Sequence, residues 1–230
     1  MDIQVLRPRR VWLMLLVAIV AGAVLVAPYA LLDVGSSRIE VDGGLHYALL
    51  VTHIFTATVA LVLGPLQFVP AIRARRRWHR RIGRTYLFAG VLPSAVAAVP
   101  VALLSGRIVT QVGLVIVAIG WLVTAGAAVR AIRRGDVTAH RAWMTRNYAL
   151  TFLAVTARIV VPFLLLTGLA TGAIARADAA AAVTALIPVG QIAGCVINLV
   201  VAEVLIRRAR RGRTASGSPR AARVRETARR

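Results

Sequence analysis

Six apolar runs of about 20 residues, each long enough to cross a membrane, are separated by loops that are alternately loaded with arginine and nearly free of it. At about 1.5 Å rise per residue such a run covers the roughly 30 Å hydrocarbon layer as a helix. Helix is required, because lipid offers no partner to an unpaired backbone N–H or C=O. The runs fall at 11–32, 46–68, 83–104, 108–129, 147–168 and 181–206. The expected fold is an all-α polytopic membrane protein with six transmembrane helices, spans two to five forming a central four-helix bundle.

The charge pattern orients these spans. All 29 Lys-plus-Arg positions are Arg. Alternating crossings put Arg7, Arg9 and Arg10, the stretch Arg73 to Arg84, the stretch Arg130 to Arg146 and the tail from Arg207 to Arg230 on one side. Only Arg38, Arg107 and Arg176 fall on the other side, and Arg158 lies inside span five. By the positive-inside rule the loaded side is cytoplasmic, so both termini are expected inside. Trp12, Trp78 and Trp143 adjoin the basic segments, where an indole ring prefers the interface. The chain divides into a basic N-terminus 1–10, a membrane domain 11–206 and an Arg-rich tail 207–230 expected to be disordered. The start has the basic lead and apolar stretch of a secretory signal, but the run is too long for one and reads as an uncleaved first span.

Composition narrows the function classes. With 59% hydrophobic residues and a mean hydropathy of +0.76, the apolar surface exceeds what one soluble core could hide. A net charge of +21 would suggest nucleic acid in a soluble chain. Here the charge flanks apolar spans, so anionic phospholipid headgroups are the nearer partner and nucleic acid is not favoured. The single Cys195 rules out an intrachain disulfide and is most simply a packing residue. A phosphate-cradling Gly-rich loop, a zinc-binding His pair and a Ser with His and acid at one depth are all missing, so hydrolysis is not favoured.

Polar residues inside the spans are the candidates for chemistry, since a charge in hydrocarbon is costly. Arg158 stands near the bilayer middle on a stripe with Asn147, Thr151 and Ala154, facing other helices, and no carboxylate lies at its depth. In span two His46, His53, Ala60 and Gln67 recur at sevens. His53 comes within about a turn of the depth of Arg158, as either an interhelical hydrogen bonder or a ligand-binding residue. Gln191, Asn198 and Glu203 on span six complete this set: Gln191 as a dipole for Arg158, Asn198 as an interhelical bonder, Glu203 as a partner for a loop Arg. Gly64-Pro65 should bend span two near its inner end and put Gln67 and Phe68 at the mouth of the bundle.

The two cytoplasmic hairpin loops form a weak internal repeat. One contains His79-Arg80 followed by Arg84, the other His140-Arg141 followed by Arg146, each as the next helix begins. Both hairpins run in the same sense, so this is a parallel repeat about an axis along the membrane normal. Two imidazoles at equal depth on different helices are what a bis-His b-type haem requires, with Arg80, Arg84, Arg141 and Arg146 as partners for the propionates. Lipid phosphate is the competing use of the same residues. Asp136 either caps the helix that begins after it or holds His140. No metal site beyond this candidate haem iron is expected.

Several of these residues fall into one constellation: His53, Gly64-Pro65-Leu66-Gln67-Phe68, His79-Arg80-x-x-Gly83-Arg84-x-Tyr86, Gly135-Asp136, His140-Arg141-x-Trp143-Met144-x-Arg146-Asn147-Tyr148, Arg158, Asn198 and Glu203. In this combination the chain resembles a bacterial family of predicted membrane proteins, the domain-of-unknown-function family 2306. The resemblance implies a multi-pass membrane protein and lends no established reaction; with the charge pattern, the expected location is the bacterial inner membrane. The first span and the tail lie outside it.

Three functions fit the residues. The sharpest is a haem b electron-transfer protein exchanging electrons with a quinone or another redox partner, an oxidoreductase if it is an enzyme at all. This departs from di-haem four-helix cytochromes, because span four has no His to partner His53. The alternatives are a transporter or receptor for a small anionic or lipidic ligand, lined by Arg158, His53 and Gln191, and a non-catalytic membrane scaffold.

Overall fold

The computed structural model describes residues 8–37, 41 and 43–216. Among the described residues, nine α-helices and one π-helical segment carry the fold, and no strand occurs. In chain order they are α1 (Pro8–Val26), α2 (Gly43–Leu66), α3 (Pro70–Ala74), α4 (Arg76–Thr85), the π segment (Tyr86–Val91), α5 (Leu92–Leu103), α6 (Ile108–Arg133), α7 (Val137–Thr151), α8 (Leu153–Ala170) and α9 (Ala179–Ser216). Six stretches are long and apolar enough to cross a membrane, with α4, the π segment and α5 counting as one. The protein is an all-α, multi-pass membrane protein.

Helix and apolar run do not coincide at the Arg-rich side. The third span begins as helix at Arg76, α7 begins at Val137 ahead of the expected 147, and α9 continues from the membrane to Ser216. Backbone hydrogen bonding propagates a helix wherever side chains tolerate it, and Arg is a good helix former. The part of the expected tail up to Ser216 is therefore helical, and residues 217–230 lie outside the described ones, as do residues 1–7. Span five is interrupted at Phe152, between α7 and α8, where ψ is −6°. The π segment precedes Pro93. Proline has no N–H to give the carbonyl four residues back and its ring crowds that carbonyl, and the chain opens by one residue so that Leu92 N–H bonds Leu87 O.

Packing inverts that of a soluble protein. Large apolar side chains point outward in stripes, such as Trp12, Leu16 and Ile19 on α1, Val112, Ile116, Ile119 and Val123 on α6, and Ile159, Phe163 and Leu166 on α8. Small residues let the backbones meet inside, as expected where lipid removes the hydrophobic drive between helices. An added Cβ at Gly90 would stand 2.9 Å from Ala60 Cβ, and one at Gly190 would stand 2.3 Å from Val161. Ala60, Tyr86, Val91, Ala95, Ala118, Trp121, Tyr148 and Leu150 form the largest buried cluster, drawn from all four middle spans. The first span packs on α2, and α9 packs on α8, α7 and α6.

Candidate functional site

One face of the third span organises the interior. His79, Gly83, Tyr86, Gly90 and Ser94 recur at steps of three or four and so lie on one side of it. Each meets something different. At the far end Ser94 Oγ donates to His53 O (3.2 Å), and His53 Nδ1 lies 3.0 Å from both Ser94 O and Ser94 Oγ. His53 thus joins α2 to α5. Arg158 itself is exposed and bends back to donate to Ala154 O (2.8 Å). Gln191 is half-buried on α9.

Midway along that face lies a closed polar layer. The fully buried Tyr86 hydroxyl donates to Asn147 Oδ1 (2.6 Å) and lies 2.8 Å from Thr151 Oγ1. Asn147 Nδ2 donates to Trp121 O (2.7 Å) and Thr124 Oγ1 (2.8 Å), and Trp121 Nε1 donates to Thr151 Oγ1 (3.0 Å). Every side-chain donor here has an acceptor, so the layer ties the third, fourth and fifth spans together with no valence to spare. Neither Trp121 nor Thr124 stands out in the sequence. Asn147 and Thr151 do, as part of a stripe, but their partner Tyr86 lies 61 residues earlier than Asn147.

The Arg-rich mouth is built differently. His79 on α4 and His140 on α7 approach closely enough for their charges to interact, and Arg73 and Arg141 act on His79 as well. His140 and His79 are separated by the same 61 residues as Asn147 and Tyr86, so the two halves of the repeat meet at equivalent positions, one pair seven residues deeper than the other. His140 is held: its Nδ1 lies 2.9 Å from Ala128 O on α6. Asp136 does not hold it. Its carboxylate accepts from Ala139 N (2.8 Å) and caps α7.

His79 has no matching support. The residue equivalent to Ala128 is Gln67, where α2 has already ended. Pro65 lacks the N–H that would bond Leu61 O, and the Tyr148 hydroxyl bonds that carbonyl instead (3.0 Å). Tyr148 reaches it only because residue 64 is glycine, since a Cβ there would stand 2.0 Å from the ring. The chain then turns through Gln67 and Phe68, whose N–H groups bond Gly64 O and Pro65 O. Gln67 swings inward against Gly83, its Oε1 3.1 Å from where a Cβ would sit. Two buried nitrogens, Gln67 Nε2 and His79 Nδ1, are left without a hydrogen-bond partner among the described residues.

Of the residues expected around a cofactor, His140 and Arg141 lie within electrostatic reach of His79. Arg80 and Arg84 are exposed on α4. Arg146 is engaged elsewhere: its Nε donates to Glu203 Oε1 on α9, and its guanidinium lies 4.7 Å from the Trp143 ring centre. Asn198 accepts from Thr156 (2.8 Å) and donates to Ala149 O (3.0 Å), joining α9 to α7 and α8. Gln67, read from the sequence as a residue at the mouth, becomes a central member of the site.

A family model described as a predicted membrane protein (DUF2306) matches residues 50–206, which includes every residue of the mouth and of the polar layer. No curated protein and no solved structure matches the chain.

Proposed function

From the premise that the chain belongs to the DUF2306 family of predicted membrane proteins, we propose that it is a ligand-binding protein of the bacterial inner membrane, with both termini in the cytoplasm. Its site is the Arg-rich mouth, and its ligand is small and anionic or lipidic. The observation that carries this reading is the pair of buried, unpartnered nitrogens, Gln67 Nε2 and His79 Nδ1, beside the positive charge of Arg73 and Arg141. A buried donor without a partner costs about 1 to 3 kcal/mol, a cost a bound acceptor removes. The Tyr86 layer lies directly below the mouth and is fully bonded, which favours a receptor over a carrier with a path through the bundle. Exposed Arg76, Arg77, Arg80 and Arg81 around Trp78 suit the anionic headgroups of the cytoplasmic leaflet.

Native mass spectrometry of the protein extracted in mild detergent tests this. A retained non-protein mass is expected on the wild type and not on the His79→Ala, His140→Ala double variant. A wild type that carries nothing, or a double variant that retains the same mass, overturns the reading.

A second reading, b-type haem between His79 and His140, draws on one specific feature. His140 Nδ1 is tied to a backbone carbonyl, the manner in which metal-ligating imidazoles are oriented with Nε2 turned outward. His79 and His140 would hold the iron, with Arg80 and Arg84, exposed on α4, on the side for the propionates. Bound haem would supply one-electron chemistry toward a quinone or a soluble donor. The reduced-minus-oxidised spectrum of protein expressed with ample haem decides it, and no change in the Soret region rules it out.

A further inference from the structure

We infer that Gln67 and His79 are the two neutral donors of a phosphate site, with Arg73 and Arg141 supplying the charge beside it. This rests on the reading of the mouth as a ligand site and names the chemistry of the ligand. His79 and Gly83 are one helical turn apart on the same face of α4, and the Gln67 amide lies against Gly83. The Gln67 amide thus packs on α4 one turn from His79, and each of the two residues keeps a buried nitrogen unbonded. Gln67 is only 9% exposed, so bulk water does not satisfy its amide.

The ligand must match both donors and the charge. The Gln67 amide and, in its Nδ1–H tautomer, the His79 imidazole ask for an acceptor with at least two oxygens, and the positive charge of Arg73 and Arg141 favours a negative one, since charge-assisted bonds to oxyanions are the strong ones. The depth of the site selects among oxyanions. α4 carries exposed Trp78 and a run of exposed Arg on its outer side, the signature of the headgroup layer, where phosphate is the abundant anion. Gly83 lets the Gln67 amide pack closely on α4, because any side chain there would press on it. The phosphate comes either from a lipid headgroup entering sideways or from a soluble species entering along the mouth.

The experiment uses the full chain, stripped of lipid in a phosphate-free detergent and titrated separately with inorganic phosphate and with phosphatidylglycerol. Binding is followed by native mass spectrometry and by the thermal melting shift. Binding of at least one probe is expected: phosphatidylglycerol alone identifies the lipid source, and inorganic phosphate the soluble one. His79→Leu should weaken it about tenfold or more by deleting a donor to a charged group. Gln67→Glu keeps the shape of Gln67 but sets a carboxylate against the phosphate, and should weaken binding further. His79→Gln, which restores an amide donor, should recover most of it. The melting temperature of each variant without ligand shows that it is folded.

Failure of both probes to bind, or unchanged binding in His79→Leu and Gln67→Glu, overturns the phosphate assignment. A co-purified mass that depends on His79 and His140, together with no binding of either probe, overturns it while leaving the ligand site standing. Absence of any such mass removes the ligand site itself.

Discussion

The two hairpins that open on the Arg-rich side are built to one plan and finished differently. Arg76 and Val137, the first residues of α4 and α7, are 61 residues apart, as are His79 and His140 and also Tyr86 and Asn147. In the second hairpin α6 runs unbroken past Ala128 to Arg133, and its Ala128 carbonyl takes the His140 imidazole. In the first, α2 ends at Leu66 just past Gly64-Pro65, Leu61 gives its carbonyl to Tyr148, and the equivalent imidazole at His79 is left unsupported. One half satisfies its polar groups with its own backbone, and the other leaves them open. On the proposed reading of the mouth as a ligand site, that difference would divide the molecule into a supporting half and a binding half.

The break in α2 is where the comparison is most easily destroyed. Gly64→Val drives a side chain into the Tyr148 ring, 2.0 Å from the first added carbon, and removes the hydroxyl from Leu61 O. Overpacking and a stranded carbonyl together should cost about 3 kcal/mol or more. Ala125→Val makes the corresponding change in the second hairpin, where α6 is continuous and residue 125 only half-buried, and should be far milder. Thermal unfolding in detergent compares the two, and equal losses would mean the hairpins do not differ as described. Next in size is Tyr86→Phe. It strips the donor from Asn147 Oδ1 in a layer with no spare partner, and should lower stability by about 1 to 2 kcal/mol with ligand binding at the mouth unchanged. Loss of binding without loss of stability would transfer a functional role to the layer.

Gln67→Leu should act in the opposite direction. Removing a buried amide whose Nε2 is unbonded takes away a desolvation penalty, so the ligand-free protein should gain about 1 kcal/mol while ligand retention falls. Chemical unfolding of lipid-stripped protein measures the gain. A destabilised variant would mean that the Gln67 amide serves the fold, and the contrast between the two halves would lose its functional meaning.

What the sequence makes legible follows from which forces act locally. The six spans are plain because hydrocarbon thickness imposes a length on each apolar run. Their helical ends are not, since a helix rich in Arg continues into the headgroup layer at no cost, as α4, α7 and α9 do. The equivalent placing of His79 and His140, 61 residues apart on α4 and α7, is visible through the repeated His-Arg loops. The Tyr86 layer is hidden, because nothing near Tyr86 announces a bond to a residue 61 positions away, and the π segment that carries Tyr86 depends on Pro93 downstream. Arg146 shows the limit of reasoning from loops alone. Its neighbours in sequence suggest a cofactor, whereas Glu203 on a distant helix claims it.

The smallest effect gives the closest test of the two halves, because it compares the same substitution at equivalent residues. His140→Phe removes a bond to Ala128 O, a carbonyl that also lies within the α6 helix, so the cost should be only about 0.5 to 1 kcal/mol. His79→Phe removes an imidazole whose Nδ1 has no partner among the described residues, and the apolar ring fits a half-buried position as well or better. Its stability should be unchanged or slightly raised, while retention of the ligand falls. Differential unfolding of the two variants, each against wild type, resolves a difference of this size. If both lose the same stability, His79 is held as firmly as His140, and the break in α2 has no consequence at the mouth.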